Sequence, residues 1–269
     1  MTIYKQDIAQ LIEPSSLNRI GEILKEKLES TKNDKQKFFN LLHHYVEFNS
    51  VFGVGVALLS YRIASKGKFA DMSAPYFNDR NMHVSSYFFD AARDEFDDSA
   101  TSHRDTHRTL AQAFMLGLMS YYDIQPSTAP KNWLQQVNQM VMSGYGEKYN
   151  ELTKSLFQEM AFHLASEVYA TVEFKVIDSF IREEKPELHR FLQNNKVHIA
   201  NEEHNSYQWL SIHSAFGGDV EAEHYGYALD GIEQACRYSE HLTDKERIAW
   251  LVEGIEMFST VWSLFIKWC

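Results

Sequence analysis

The sequence predicts an all-α protein, a multi-helix bundle, from three observations. Only five prolines occur in 269 residues, and the long intervals between them carry apolar residues at helical rather than alternating spacing. Hydrophobic residues make up 44% of the chain and aromatic residues 14%, enough to bury a large core. No Pro/Gly/Ser-rich linker splits the chain, so residues 1–269 read as a single domain.

The elements follow in order. Leu17, Ile20, Leu24 and Leu28 share one face of an opening amphipathic helix that ends at the charged turn Lys32 to Lys35. A longer helix, from about Gln36 to Ser65, is apolar nearly all round and therefore buried on several sides. After a loop at Pro75, a third helix covers Met82 to Phe96. The polar run Asp97 to Ser102 interrupts it, and a fourth starts near His103, with Ser102 and Asp105 placed as an imperfect capping box. Pro126 and Pro130 mark a turn before a short helix from Trp133 to Met142. A long helix from about Lys148 to Arg182 stops near Pro186. Glu203 to Ala235 reads as helical around a kink or bulge at Gly217-Gly218, and a final helix covers Asp244 to Lys267.

Composition narrows the function. A formal net charge of −11 disfavours a nucleic-acid or anionic-membrane partner, since both need clustered cations. The apolar stretch Val51 to Leu59 is far shorter than the roughly 20 residues that span a bilayer. The N-terminus lacks a signal-peptide core, and Cys236 and Cys269 form neither a disulfide framework nor a CxxC motif, so a cytoplasmic protein acting on a small molecule is expected.

Twelve histidines raise the question of metal binding. Glu221 and His224, three residues apart, share a helix face and offer the oxygen and nitrogen donors that suit iron or manganese, although such a pair also occurs on solvated surfaces. Glu173 lies on a face with Tyr169, Val176, Ile177 and Phe180, where a carboxylate needs a metal ion, a salt bridge or a tyrosine hydrogen bond. Glu95 and His107 have apolar neighbours at helical spacing. In one continuous helix they would stand about 18 Å apart, so they share a site only if the intervening polar run breaks the helix. His103 competes with His107. The run Glu159, His163, Glu167 also shares a face but reads as solvated, and Glu167 points about 120° away from Glu173.

The long apolar helix, then Arg93-Asp94-Glu95-Phe96, His107-Arg108-Thr109-Leu110, Val168-Tyr169-Ala170-Thr171-Val172-Glu173 and Glu221-x-x-His224, resemble in this order the haem-oxygenase-like diiron oxidases, most closely their CADD-like branch. The resemblance covers residues 38–232. It implies a haem-oxygenase-like bundle holding two iron ions, with manganese as an alternative and O2 as co-substrate, which oxidises a small amphipathic molecule such as an amino acid or fatty acid derivative. An external electron donor and a homodimer are compatible with it.

The same resemblance places Glu95, His107, Glu173 and His224 at metal-ligand positions. Glu221 stands at an aspartate position of the family's His-x-x-x-Asp-x-x-His run, and Gly217 replaces its first histidine. His213, one turn earlier, or Asp219 is left to complete the site. On the long apolar helix, Tyr45, Phe48 and Phe52 are pocket candidates and Glu47 a candidate anchor for a substrate headgroup. Three alternatives remain: a thiaminase-like (TenA-type) enzyme using Cys236, a haem binder, and a metal-free interaction protein.

Overall fold

The computed structural model describes residues 3–66, 69, 79–98, 104–125, 131–146, 152–214 and 220–269. Among them are twelve helices and one two-stranded hairpin: α1 (Lys5–Ala9), α2 (Pro14–Thr31), α3 (Lys35–Asn49), α4 (Phe52–Lys66), α5 (Arg80–Phe96), α6 (His107–Tyr122), α7 (Asn132–Gly144), α8 (Leu152–Glu184), α9 (Pro186–Asn194), β1 (Lys196–Ile199), β2 (Glu202–Asn205), α10 (Gln208–His213), α11 (Val220–Arg237) and α12 (Asp244–Trp268). The all-α prediction holds.

The axis of the bundle is α8. Nearly every residue from Ser155 to Glu167 is buried, because α4, α11 and α12 pack around this half while α2 covers it elsewhere. Helix α12 is the one described helix long and apolar enough to cross a membrane, yet nine of its residues are buried, among them Phe258, Trp262 and Phe265. Its ring of Phe265 stacks on Phe48 of α3 at 4.2 Å between centroids, and Phe258 meets Phe162 of α8 edge-on at 5.2 Å.

The expected helix over 36–65 is two helices. At its middle the Ser50 hydroxyl bonds the Glu47 carbonyl and the Asn49 amide bonds the Tyr45 carbonyl, so side chains compete with the backbone ladder just before Gly53. Pro186 does more than stop α8: it opens α9 at the first helical position, where its missing N–H costs nothing.

The segment expected to be helical from Glu203 starts as strand. Lys196–Ile199 and Glu202–Asn205 pair in antiparallel register through a two-residue turn in which Ala200 and Asn201 have φ of 52° and 74°. Helix resumes in α10 and α11. His103, Ser102, Gly217, Gly218 and Asp219, with the turns at Pro75, Pro126 and Pro130, lie outside the described residues.

One joint of the fold matters for the site. Helix α5 ends at Phe96 and α6 begins at His107, where the Thr106 hydroxyl accepts from the Thr109 N–H as N-cap. The ends of the connection close on each other: the Asp98 N–H donates to the Asp105 carbonyl at 2.8 Å. The chain therefore doubles back and sets the last turn of α5 against the first turn of α6.

Candidate metal centre

That reversal brings Glu95 and His107 together, with Glu95 Oε1 3.2 Å from His107 Nδ1. It also places Asp98 Oδ2 2.9 Å and Asp94 Oδ2 3.5 Å from His107 Nε2. Gly53 of α4 makes room for this. A Cβ there would stand 3.0 Å from Glu95 Oε2 and 3.1 Å from Glu95 Cβ, closer than packed atoms sit.

From the opposite side α10 and α11 complete the cluster. His213 Nε2 lies 3.2 Å from His107 Nδ1 and 3.7 Å from Glu221 Oε1. His224 reaches both halves, with Nε2 3.2 Å from Asp94 Oδ2 and Nδ1 3.4 Å from Glu167 Oε2. On α8, Glu167 is turned toward His163, whose Nδ1 is 3.2 Å from Glu167 Oε1.

Two groups of three donors emerge. The ligand atoms of Asp94, Asp98 and His107 lie within 4.8 Å of one another, as do those of Glu167, Glu221 and His224, and the Asp94 to His224 contact joins the groups.

The electrostatics show what such a cluster requires. Burial alone would push the Asp94 carboxyl up, but hydrogen bonds from His107 and His224 hold it well below the usual range. Burial opposes a charge on the two imidazoles as well, and is outweighed by Glu95, Asp94 and Asp98 around His107 and by Asp94 and Glu167 around His224, which is pushed up to about 10. Glu167 and Glu221 are a buried carboxyl pair. Against the cost of burial His163 and His224 keep Glu167 low, whereas burial and the Glu167 charge push Glu221 up. Five acidic side chains thus share one region, and among the described residues imidazolium charge on His107 and His224 and a raised Glu221 carboxyl offset their charge. Divalent cations would replace those protons, and a mixed carboxylate and imidazole set is the donor chemistry that suits iron and manganese.

His213 differs from its neighbours. Its Nδ1–H donates to the Trp209 carbonyl at 2.6 Å, which leaves Nε2 as the lone-pair nitrogen inside the cluster. Burial, and then the charge of His107, lower its pKa to about 3, so this ring stays neutral.

Glu173 lines the neighbouring cavity with Glu95, His107, His213 and Glu221, but its hydrogen-bond partner is the Trp262 indole N–H, which donates to Oε1. Burial pushes this carboxyl up to about 7, with Trp262 and Tyr45 opposing. Glu167, expected to be solvated, is instead buried in the cluster, and Glu159 and His163 are buried too. Glu159 forms a two-pronged pair with the buried Arg62, with Nε at 2.9 Å and Nη2 at 2.8 Å. The reason is that α8 is enclosed on several sides, so apolar neighbours along one face do not mark its only buried direction. Asp94 and Asp98 were also missed: Asp94 adjoins a residue chosen for its apolar face, and Asp98 belongs to the run read only as a break.

The cavity holds about 530 Å³ beside the cluster. Its apolar wall includes Phe48, Phe52, Met115, Phe174, Trp209 and Phe258, and Glu47 and Arg108 also line it. Both charged residues are at least partly exposed. Cys236 lies elsewhere, buried in α11, where burial pushes the thiol up to about 12 and leaves it a poor nucleophile.

Fold and site together define a helical bundle with a buried carboxylate and imidazole cluster able to hold metal. No protein-family model matches the chain, and no curated protein matches it. Among solved structures it is similar to a CADD-like protein of unknown function from Nostoc punctiforme, with a TM-score of 0.55 at 13% identity over 94% of this chain and 96% of that one. The chain has the CADD-like helical fold.

Proposed function

We propose that this protein is an oxygen-activating oxidase holding two iron ions, or manganese in their place, among α5, α6, α8, α10 and α11. The observation that carries this reading is the joined pair of three-donor groups, Asp94/Asp98/His107 and Glu167/Glu221/His224, set beside a largely apolar cavity. Glu95 and His213 stand within reach of the same centre.

When bound, two ferrous ions supply the electrons and the binding place that O2 needs. The chain's own residues do the rest. Trp209 fixes the His213 ring with Nε2 inward. Phe174, Trp209 and Phe258 keep water from the wall beside the metals. Glu173, whose carboxyl burial pushes up to about 7, lines the cavity and is the group that exchanges a proton with it. Glu47 is the anchor for an amino headgroup and Arg108 for a carboxyl one, which suits an amphipathic substrate such as an amino acid or fatty acid derivative. Return to the ferrous state calls for an external electron donor.

The test is oxygen consumption by iron-loaded protein in the presence of a reductant and a panel of amphipathic amines and carboxylic acids. Uptake that depends on one of them and disappears without iron is expected. Uptake indifferent to both contradicts the proposal.

A further inference from the structure

We propose that His163 is a positioning residue of the metal centre: its Nδ1–H holds one oxygen of Glu167 and leaves the other to the metal. This rests on the two-metal reading above and adds to it a residue outside both groups of donors. Of the run Glu159, His163, Glu167 on α8, Glu159 is taken up by Arg62 and Glu167 by the cluster, which leaves His163 without a role.

His163 and Glu167 are four residues apart and so share a face of α8. The imidazole is 1% exposed and packs 5.7 Å from the Phe88 ring and 5.9 Å from the Tyr145 ring, centroid to centroid. Its Nδ1 lies 3.2 Å from Glu167 Oε1 and 3.1 Å from Tyr145 Oη, while Nε2 has no hydrogen-bond partner among the described residues. A hydrogen on Nε2 alone would be a buried donor with nothing to bond, whereas on Nδ1 it meets a carboxylate. Tyr145 agrees with that placement. The Ser166 hydroxyl donates to the His163 carbonyl at 2.7 Å, so Tyr145 Oη donates to Ser166 Oγ at 3.4 Å and is left as an acceptor facing Nδ1. Nδ1 then carries the hydrogen whether the ring is neutral or charged.

The effect falls on Glu167. Its Oε1 is committed to His163 on its own helix, and its Oε2 is turned to His224 Nδ1, 3.4 Å away on α11, where the second group of donors gathers. A carboxylate tied at one oxygen presents the other in a fixed direction, so Glu167 enters the centre through Oε2. Tyr145 is itself held by the core. It is fully buried, meets Phe162 edge-on at 5.3 Å, and stands where a Cβ on Gly55 would overlap its ring. A brace thus runs from the packed core through Tyr145 and His163 to the ligand.

Two measurements on the full chain test this. Nitrogen-15 NMR of metal-free protein labelled at histidine, with His163→Asn identifying the signal, reads the tautomer: a hydrogen on Nδ1 is expected, and a bare Nδ1 with the hydrogen on Nε2 overturns the proposal. Anaerobic ferrous titration then compares the wild-type chain with His163→Leu, His163→Asn, Glu167→Ala and the double variant His163→Leu/Glu167→Ala, while circular dichroism checks helicity. His163→Leu is expected to weaken binding of one ion by about tenfold to a hundredfold. His163→Asn, whose amide nitrogen stands where Nδ1 does, should restore most of that loss. Added to Glu167→Ala, His163→Leu should weaken the remaining binding no further, because it acts through that carboxylate. Unchanged affinity in His163→Leu, or an equal loss with and without the Glu167 carboxylate, overturns the brace alone; a wild-type chain that takes up no ferrous ion overturns the two-metal reading beneath it.

Discussion

The Nε2 of His213 lies 3.2 Å from the Nδ1 of His107, and the two rings have opposite protonation: His213 donates Nδ1–H to the Trp209 carbonyl and stays neutral, whereas His107, ringed by Glu95, Asp94 and Asp98, holds its proton. A bound cation would take the place of the His107 proton, with His213 Nε2 offering its lone pair to it. His213→Ala is therefore expected to lower iron affinity by at least tenfold without loss of helicity, as read by anaerobic ferrous titration. Unchanged affinity would show that His213 serves only to pack against Phe174.

The two carboxylates of α8 are expected to behave differently. Glu167 contacts His163 and His224, and Glu173 accepts a hydrogen bond from Trp262. Glu167→Ala should remove at least one iron per chain, while Glu173→Gln keeps both and slows turnover. Metal analysis of the two variants checks the contrast, and loss of iron in Glu173→Gln with full loading of Glu167→Ala reverses the assignment.

Glu173 also gives a pH signature in the metal-free protein. Its folded-state pKa of about 7 stands above the unfolded value of 4.5, so the folded state binds more protons between these limits. The stability tied to this proton is fully present below pH 4.5 and is lost as pH rises through about 7, a change on the order of 3 kcal/mol. Denaturant midpoints at pH 5 and pH 8 should fall further for the wild-type chain than for Glu173→Gln. Equal falls would mean the carboxyl ionises without cost.

Gly53→Ala tests how α4 positions the centre. The added methyl meets Glu95 Cβ at 3.1 Å, a contact that a change of side-chain rotamer does not relieve. A loss of about 1–3 kcal/mol in stability is expected from such crowding, with weaker iron binding through the displaced Glu95. A variant of native stability and iron content would indicate that α4 simply moves away.

Glu47→Ala separates substrate binding from metal binding. Glu47 lines the cavity and has His43 Nε2 4.0 Å away, with no cluster residue as ion-pair partner. Its loss is expected to raise KM for an amine substrate tenfold or more at unchanged iron content. Iron loss with unchanged KM would place Glu47 in the metal centre instead.

Most of the helical order was legible because the periodicity of α2, α5, α6 and α12 records one buried face each. The break at Ser50 was not, since it arises from side chains bonding carbonyls within an uninterrupted apolar run. Nor was the hairpin at Ala200-Asn201, whose turn lacks glycine. For the site, Glu95 and His107 carried a local signal in their apolar neighbours at helical spacing, and Glu221 and His224 carried another as a carboxylate and an imidazole on one helix face. Glu167 carried the same kind of signal with Glu159 and His163 but read as solvated, because α8 is buried nearly all round and every direction from it looks alike in one dimension. Asp94 and Asp98 became recognisable only once the reversal between α5 and α6 had folded them onto His107.

The central claim is that the cluster is a two-metal site. The most direct measurement is the number of ferrous ions bound per chain on anaerobic reconstitution, compared with His224→Ala, which removes the link between Asp94 and Glu167. Close to two ions in the wild-type chain and one or fewer in the variant is the predicted result; no specific uptake by the wild-type chain would contradict the account.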